Sequence, residues 1–149
     1  MTTTTANLAT SASERFARSP TKKDSIVYWT TTAIVATIML WSAYNFALDA
    51  KMKEGFSHLG LPNWFRIELT FTKVLGVMAL VIPKTPNRIK EFAYFGFGLT
   101  LVSATAAHRS VGDPIAFEIV HALIFVCLVV SYVYHHKRVG EGAPHDRRR

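Results

Sequence analysis

Residues 64–82, WFRIELTFTKVLGVMALVI, decide the fold, because the stretch is long enough to cross a bilayer yet carries Arg66, Glu68 and Lys73. Its length, at about 1.5 Å per residue, approaches the ~30 Å of a hydrocarbon core. Each charge costs about 2.5–3.5 kcal/mol if it is placed at mid-membrane. The stretch is therefore a span only if it packs inside a bundle. Helical phase supports that choice. Arg66, Thr70 and Lys73 share one stripe at offsets of four and seven, continuing to Gly76 and Val77, and a stripe of that kind turns inward.

Three further apolar runs flank it. Residues 25–48 contain no formal charge and make a clear transmembrane helix. Residues 92–107 include GFGLTLVSATAA, whose small side chains allow close backbone approach to a neighbour. Residues 114–134 follow Gly112-Asp113-Pro114, which reads as an N-cap and a first-turn proline. The expected fold is an all-α membrane protein, a bundle of four transmembrane helices over residues 25–135. Residues 1–24, rich in Thr, Ser and Ala, read as a disordered cytoplasmic tail. Residues 136–149 read as a second, basic one.

Orientation follows from the lysines and arginines. The N-tail holds four, the second loop three and the C-tail five, against two in the first loop and one in the third. Twelve against three places both termini in the cytoplasm, in what is expected to be a bacterial cytoplasmic membrane. Tyr28, Trp29, Trp41, Tyr44, Trp64, Tyr132 and Tyr134 fall near the expected interfaces. The net charge of +7 is segregated at the ends and loops rather than spread as a phosphate-binding stripe, which excludes a nucleic-acid partner and leaves the lipid bilayer as the first one. One cysteine, Cys127, excludes an intrachain disulfide and a paired-thiol redox centre.

Topology converts position into depth and gathers polar side chains in the outer half of the bundle. Arg66, Glu68, Lys73, His108, Glu118 and His121 make the candidate pocket, since ionisable residues inside a membrane mark substrate or proton pathways. Glu118 is the expected counter-ion of Lys73, and His135, His136 and His145 belong to the solvated tail. The alternative for the same residues is purely structural: an ion pair and hydrogen bonds that fix helix register. No metal site is expected. FEIVH, residues 117–121, supplies one Glu-x-x-His, whereas carboxylate-bridged di-iron bundles use two, plus two further glutamates. Phosphate loops, nucleophile elbows and CxxC motifs are absent from the sequence.

HLGLPNWF, KVLGVMALVIP, RIKEFAYFGFGLT and SATAAHRSVGDP, taken in order, resemble the DoxX-like branch of the DoxX family of small four-helix membrane proteins. The likeness runs from about residue 28 to 134. It implies a link to respiratory chemistry, through a subunit of a thiosulfate:quinone oxidoreductase. Matching positions are Gly60, Pro62, Lys73, Gly76, Pro83, Lys90, Glu91, Tyr94, Gly96, His108, Gly112 and Asp113; Gly60, Pro62, Gly76, Pro83, Gly96 and Asp113 are expected to be structural. Glu118 and His121 lie outside the pattern. Two functions follow as expectations. One is the membrane subunit of a quinone-linked complex, in which Lys73 or Arg66 stabilises reduced-quinone oxyanion character and His108 or His121 relays protons. The sequence has no flavin, haem or iron–sulfur motif, so this chain is not a complete oxidoreductase and works with a redox-enzyme partner. The other is a non-enzymatic module, alone or as a homo-oligomer, that stabilises a partner protein or carries a small solute.

Overall fold

The computed structural model describes residues 21–140. Among them lie five helices: α1 (Lys22–Leu48), α2 (Ala50–His58), α3 (Asn63–Val81), α4 (Asn87–Ser110) and α5 (Ala116–Gly140). Of the expected tails at 1–24 and 136–149, residues 1–20 and 141–149 fall outside the described residues, and the remainder is helical apart from Thr21.

Helix α1 begins earlier than its apolar run. Thr21 and Asp24 form a reciprocal capping box, satisfying orphan N–H groups at the first turn. Helix α2 occupies what the sequence suggests is a loop. Asp49 caps it by accepting from the Lys51 amide at 2.9 Å, and Phe56 anchors it edge-on against Phe46 of α1. It ends in a Schellman turn, in which Leu61 N–H donates to Phe56 O and Gly60 N–H to Ser57 O. Gly60 takes φ +72° there, a conformation that side-chain-bearing residues adopt at a cost. The end of α4 repeats the device, with Asp113 N–H donating to His108 O and Gly112 N–H to Arg109 O, Gly112 standing at φ +76°. Pro62 and Pro83 bracket α3.

The four long helices run up and down as a ring, α1 against α3 and α5, α4 against α5, and α3 against α4 in the lightest of these contacts. Val35, Met39, Val77, Leu80, Phe97, Leu101 and Leu128 fill the centre. Outside, the ring is apolar: Trp41, Phe71, Leu75, Phe92, Phe95, Leu123 and Val126 are all exposed. Inside it are Thr32, Lys73, Ser131 and His135. A soluble bundle keeps its apolar stripe inward, and an apolar surface this extensive belongs against lipid. By length and composition, α1 and α5 are able to cross a membrane.

Candidate functional site

The stripe on α3 decides what the bundle holds inside. Lys73, Val77 and Leu80 are buried, and Arg66 and Thr70 are half-buried above them. Lys73 is 5% exposed. Its Nζ donates to Ser42 Oγ of α1 at 2.7 Å and stands 3.6 Å from the centre of the Phe46 ring, one turn further along α1. Among the described residues no carboxylate lies within ion-pair distance of it. Lys73 is thus solvated by a hydroxyl and an aromatic face rather than by an acid.

Glu118 is not its partner, contrary to the sequence expectation. Glu118 binds Arg109 at 3.1 Å, because it lies about 3 Å into α5 while Lys73 lies about 15 Å into α3, on the ~1.5 Å rise of a helix. Arg66 turns aside as well, its Nε donating to Asn63 Oδ1 at 2.9 Å. Glu68 is exposed. Of the six expected pocket residues the structure therefore brings together three: Lys73, His108 and His121.

The histidines form a path inward from the α2 end. His58, 57% exposed, meets Asp113 Oδ1 at 3.0 Å, and His108 Nδ1 meets Asp113 Oδ2 at 2.6 Å. His108 stacks on Phe117 and faces the His121 ring at 5.6 Å. His121 is within electrostatic range of Lys73, and its Nδ1 is buried without a partner among the described residues. Asp113, which the sequence suggests is an N-cap for the last helix, instead joins two histidines and so ties the α2 turn to the end of α4. Its carboxyl is held below the usual 3.8, first by the hydrogen bond from His108 and then by that from His58.

A group whose folded pKa is depressed contributes stability above its unfolded pKa and loses it as pH falls through the folded one. The tie is therefore expected to hold from neutral pH down to about 4 and to open below. Amide exchange of residues 58–61 and 110–113 should quicken in that acid range in the wild type, whereas Asp113→Asn should show fast exchange already at neutral pH. Slow exchange in that variant would rule out the tie.

A groove of about 420 Å³ lies between α3 and α4, where the ring is loosest. Thr72, Lys73 and Thr100 line it at mid-bundle, and Gly76, Ala79, Ala93 and Gly96 line it toward the α3–α4 loop. A Cβ on Gly96 would meet nothing within 4 Å, so the space beside it is open. Gly76 differs. A Cβ there would stand 2.6 Å from the Phe97 ring, which makes Gly76 the place where that ring crosses close to α3.

Sequence reading missed a second polar cluster, at the opposite end from α2. Ser131 Oγ shares hydrogen bonds with Thr32 Oγ1 at 2.7 Å and Tyr94 Oη at 2.8 Å. His135, expected in a solvated tail, is 4% exposed, because α5 continues to Gly140 and carries it past the apolar run. Tyr28 is buried beside it. The signal was present in the spacing of Ser131, His135 and Arg138, one face of a helix.

A sequence profile of the DoxX-like family matches residues 30–132. No curated protein and no solved structure gives a significant match.

Proposed function

Since the chain belongs to the DoxX-like family, we propose that it is a four-span integral membrane subunit of a quinone-linked redox complex, with both termini cytoplasmic. On this reading α3 and α4 cross the bilayer beside α1 and α5, the charges of α3 being turned to the bundle interior or its rim.

The observation that carries the proposal is the lateral groove with Lys73 in its wall. Its fit to a quinone rests on two features. The stretch along Gly76, Ala79, Ala93 and Gly96 is apolar, suited to an isoprenoid tail, and Thr72, Lys73 and Thr100 supply polar atoms at its mid-bundle end, suited to a carbonyl head. A bound quinone supplies two-electron, two-proton carrier chemistry, and electrons reach it from a partner enzyme. Lys73 would hold such a quinone through one of its oxygens and would favour negative charge there. His121, His108, Asp113 and His58 would hold protons between Lys73 and the α2 end.

Binding of decylubiquinone to the purified full-length protein tests it. Lys73→Met is expected to weaken affinity at least tenfold, roughly the ~1.5–3 kcal/mol of a hydrogen bond to a charged group, without lowering the melting temperature, since it removes an unpaired buried charge. Gly96→Leu fills the open space and should weaken binding comparably with the fold intact. Wild-type affinity in both variants, or no binding by the wild type, would sink the assignment.

A further inference from the structure

The polar cluster around His135 lies away from the groove and is left unused by the quinone reading. Two helices build it. Lys90 and Tyr94 are one turn apart on α4, and Ser131, His135 and Arg138 share a face of α5. His135 lies between the rings of Tyr28 at 5.8 Å and Tyr94 at 5.9 Å, and its Nε2 is buried without a partner among the described residues. Arg138 rests on Tyr28 at 4.6 Å and on Trp29 at 5.7 Å, which fixes the plane of its guanidinium. Lys90 is 5% exposed and within electrostatic range of both Arg138 and His135.

Positive charge accumulates here with Glu91 within electrostatic range of His135 but no acid paired directly with Lys90 or Arg138. Among the described residues no carboxylate is in ion-pair distance of Lys90 or Arg138. Glu91 is turned outward, its side chain half-exposed and 3.9 Å from His136 Nε2. The first turn of α4 adds to the imbalance, because Pro86 provides no side-chain cap and no acid follows it, leaving free N–H groups at the positive end of the helix. Cations gathered at a buried site are costly unless an anion joins them. Among the described residues no carboxylate closes on Lys90 or Arg138, so the site is open to an anion from outside.

We propose that Lys90, Arg138 and His135 form a binding site for a phosphate group, either the phosphodiester of an anionic lipid headgroup or free phosphate. The guanidinium fork and the ammonium take the anionic oxygens. His135 donates from beneath through Nε2 in the tautomer protonated there. The inference rests on the bilayer placement proposed above, which sets the cluster at the cytoplasmic leaflet where anionic headgroups concentrate, and is independent of the quinone groove.

Native mass spectrometry of the full-length protein, released from vesicles of mixed phosphatidylglycerol and phosphatidylcholine, provides the test. The wild type is expected to retain phosphatidylglycerol preferentially. Lys90→Gln and Arg138→Gln should each reduce that retention about fivefold, the effect of about one basic residue at an anionic surface, while Lys90→Arg keeps it. A parallel arm measures melting temperature with inorganic phosphate. If phosphate stabilises the wild type but not Lys90→Gln, and no lipid is preferred, the site stands with free phosphate as its ligand. Retention unchanged in both glutamine variants, or neither lipid preference nor phosphate stabilisation in the wild type, overturns the proposal. Melting temperature of the glutamine variants without added phosphate, expected close to that of the wild type, reports that they are folded, so failure here is distinct from failure at the groove.

Discussion

Ser131→Ala is expected to destabilise the bundle by about 2 kcal/mol, more than the ~0.6 kcal/mol of an average hydrogen bond between membrane helices. The hydroxyl of Ser131 serves two others, Thr32 Oγ1 and Tyr94 Oη, and Thr32, Tyr94 and Ser131 are all buried. Removing it takes a hydrogen bond from each and leaves Thr32 and Tyr94 to satisfy one another, and a buried polar group that loses its partner costs about 1–3 kcal/mol. The three residues come from α1, α4 and α5, so the loss falls on the junction of three helices. The same logic predicts a rescue. Replacing all three together, as Thr32→Val, Tyr94→Phe and Ser131→Ala, removes donors and acceptors in step and should recover most of the loss. Reversible unfolding in mixed micelles measures both variants; a triple variant no better than the single one would show that the serine acts by shape alone.

Gly76→Val should cost about 3 kcal/mol or prevent folding. The Cβ would stand 2.6 Å from the Phe97 ring, which is 3% exposed and walled in by the central core. A ring so enclosed escapes only by moving its neighbours, and overpacking of that kind costs typically about 1–3 kcal/mol, occasionally more. Phe97→Leu in the same chain shortens the obstructing side chain and should restore part of the stability. Yield and melting temperature of the single and double variants give the comparison. A Gly76→Val protein as stable as the wild type would mean that α3 and α4 are freer to part than their packing implies.

Much of this architecture is legible in the amino-acid sequence. Four apolar runs correspond to the four long helices, and the Arg66–Thr70–Lys73 stripe gives the buried face of α3, because helical period alone determines which residues share a side. Period says nothing about which neighbour that side meets. For that reason the sequence points Lys73 toward Glu118, whereas in three dimensions it meets Ser42 and Phe46 of α1. Helix α2 escaped notice because AKMKEGFSH is polar and held by one aromatic, Phe56. The beginning of α1 and the end of α5 were read as tails because Lys22, Lys23, Lys137 and Arg138 look like solvated flanks. The Thr21–Asp24 cap and the burial of His135 show that regular helix continues beyond the grease. His108 and Asp113 were both singled out from sequence, but their contact, and the reach of His58 to the same carboxylate, depend on a turn whose shape Gly112 sets.

The carboxylate of Asp113 has a mechanical side as well. It fastens the turn that leads into α3 to the turn that leaves α4, while at the far end residues 82–86 join the same two helices directly. The slit between α3 and α4 is thus stitched at both tips, like a buttonhole. On the quinone reading such an opening would widen by bowing at its waist, near Lys73 and Thr100, and not by spreading at either rim. A guest would slip in sideways from the lipid, and the slit would measure it by girth rather than by length.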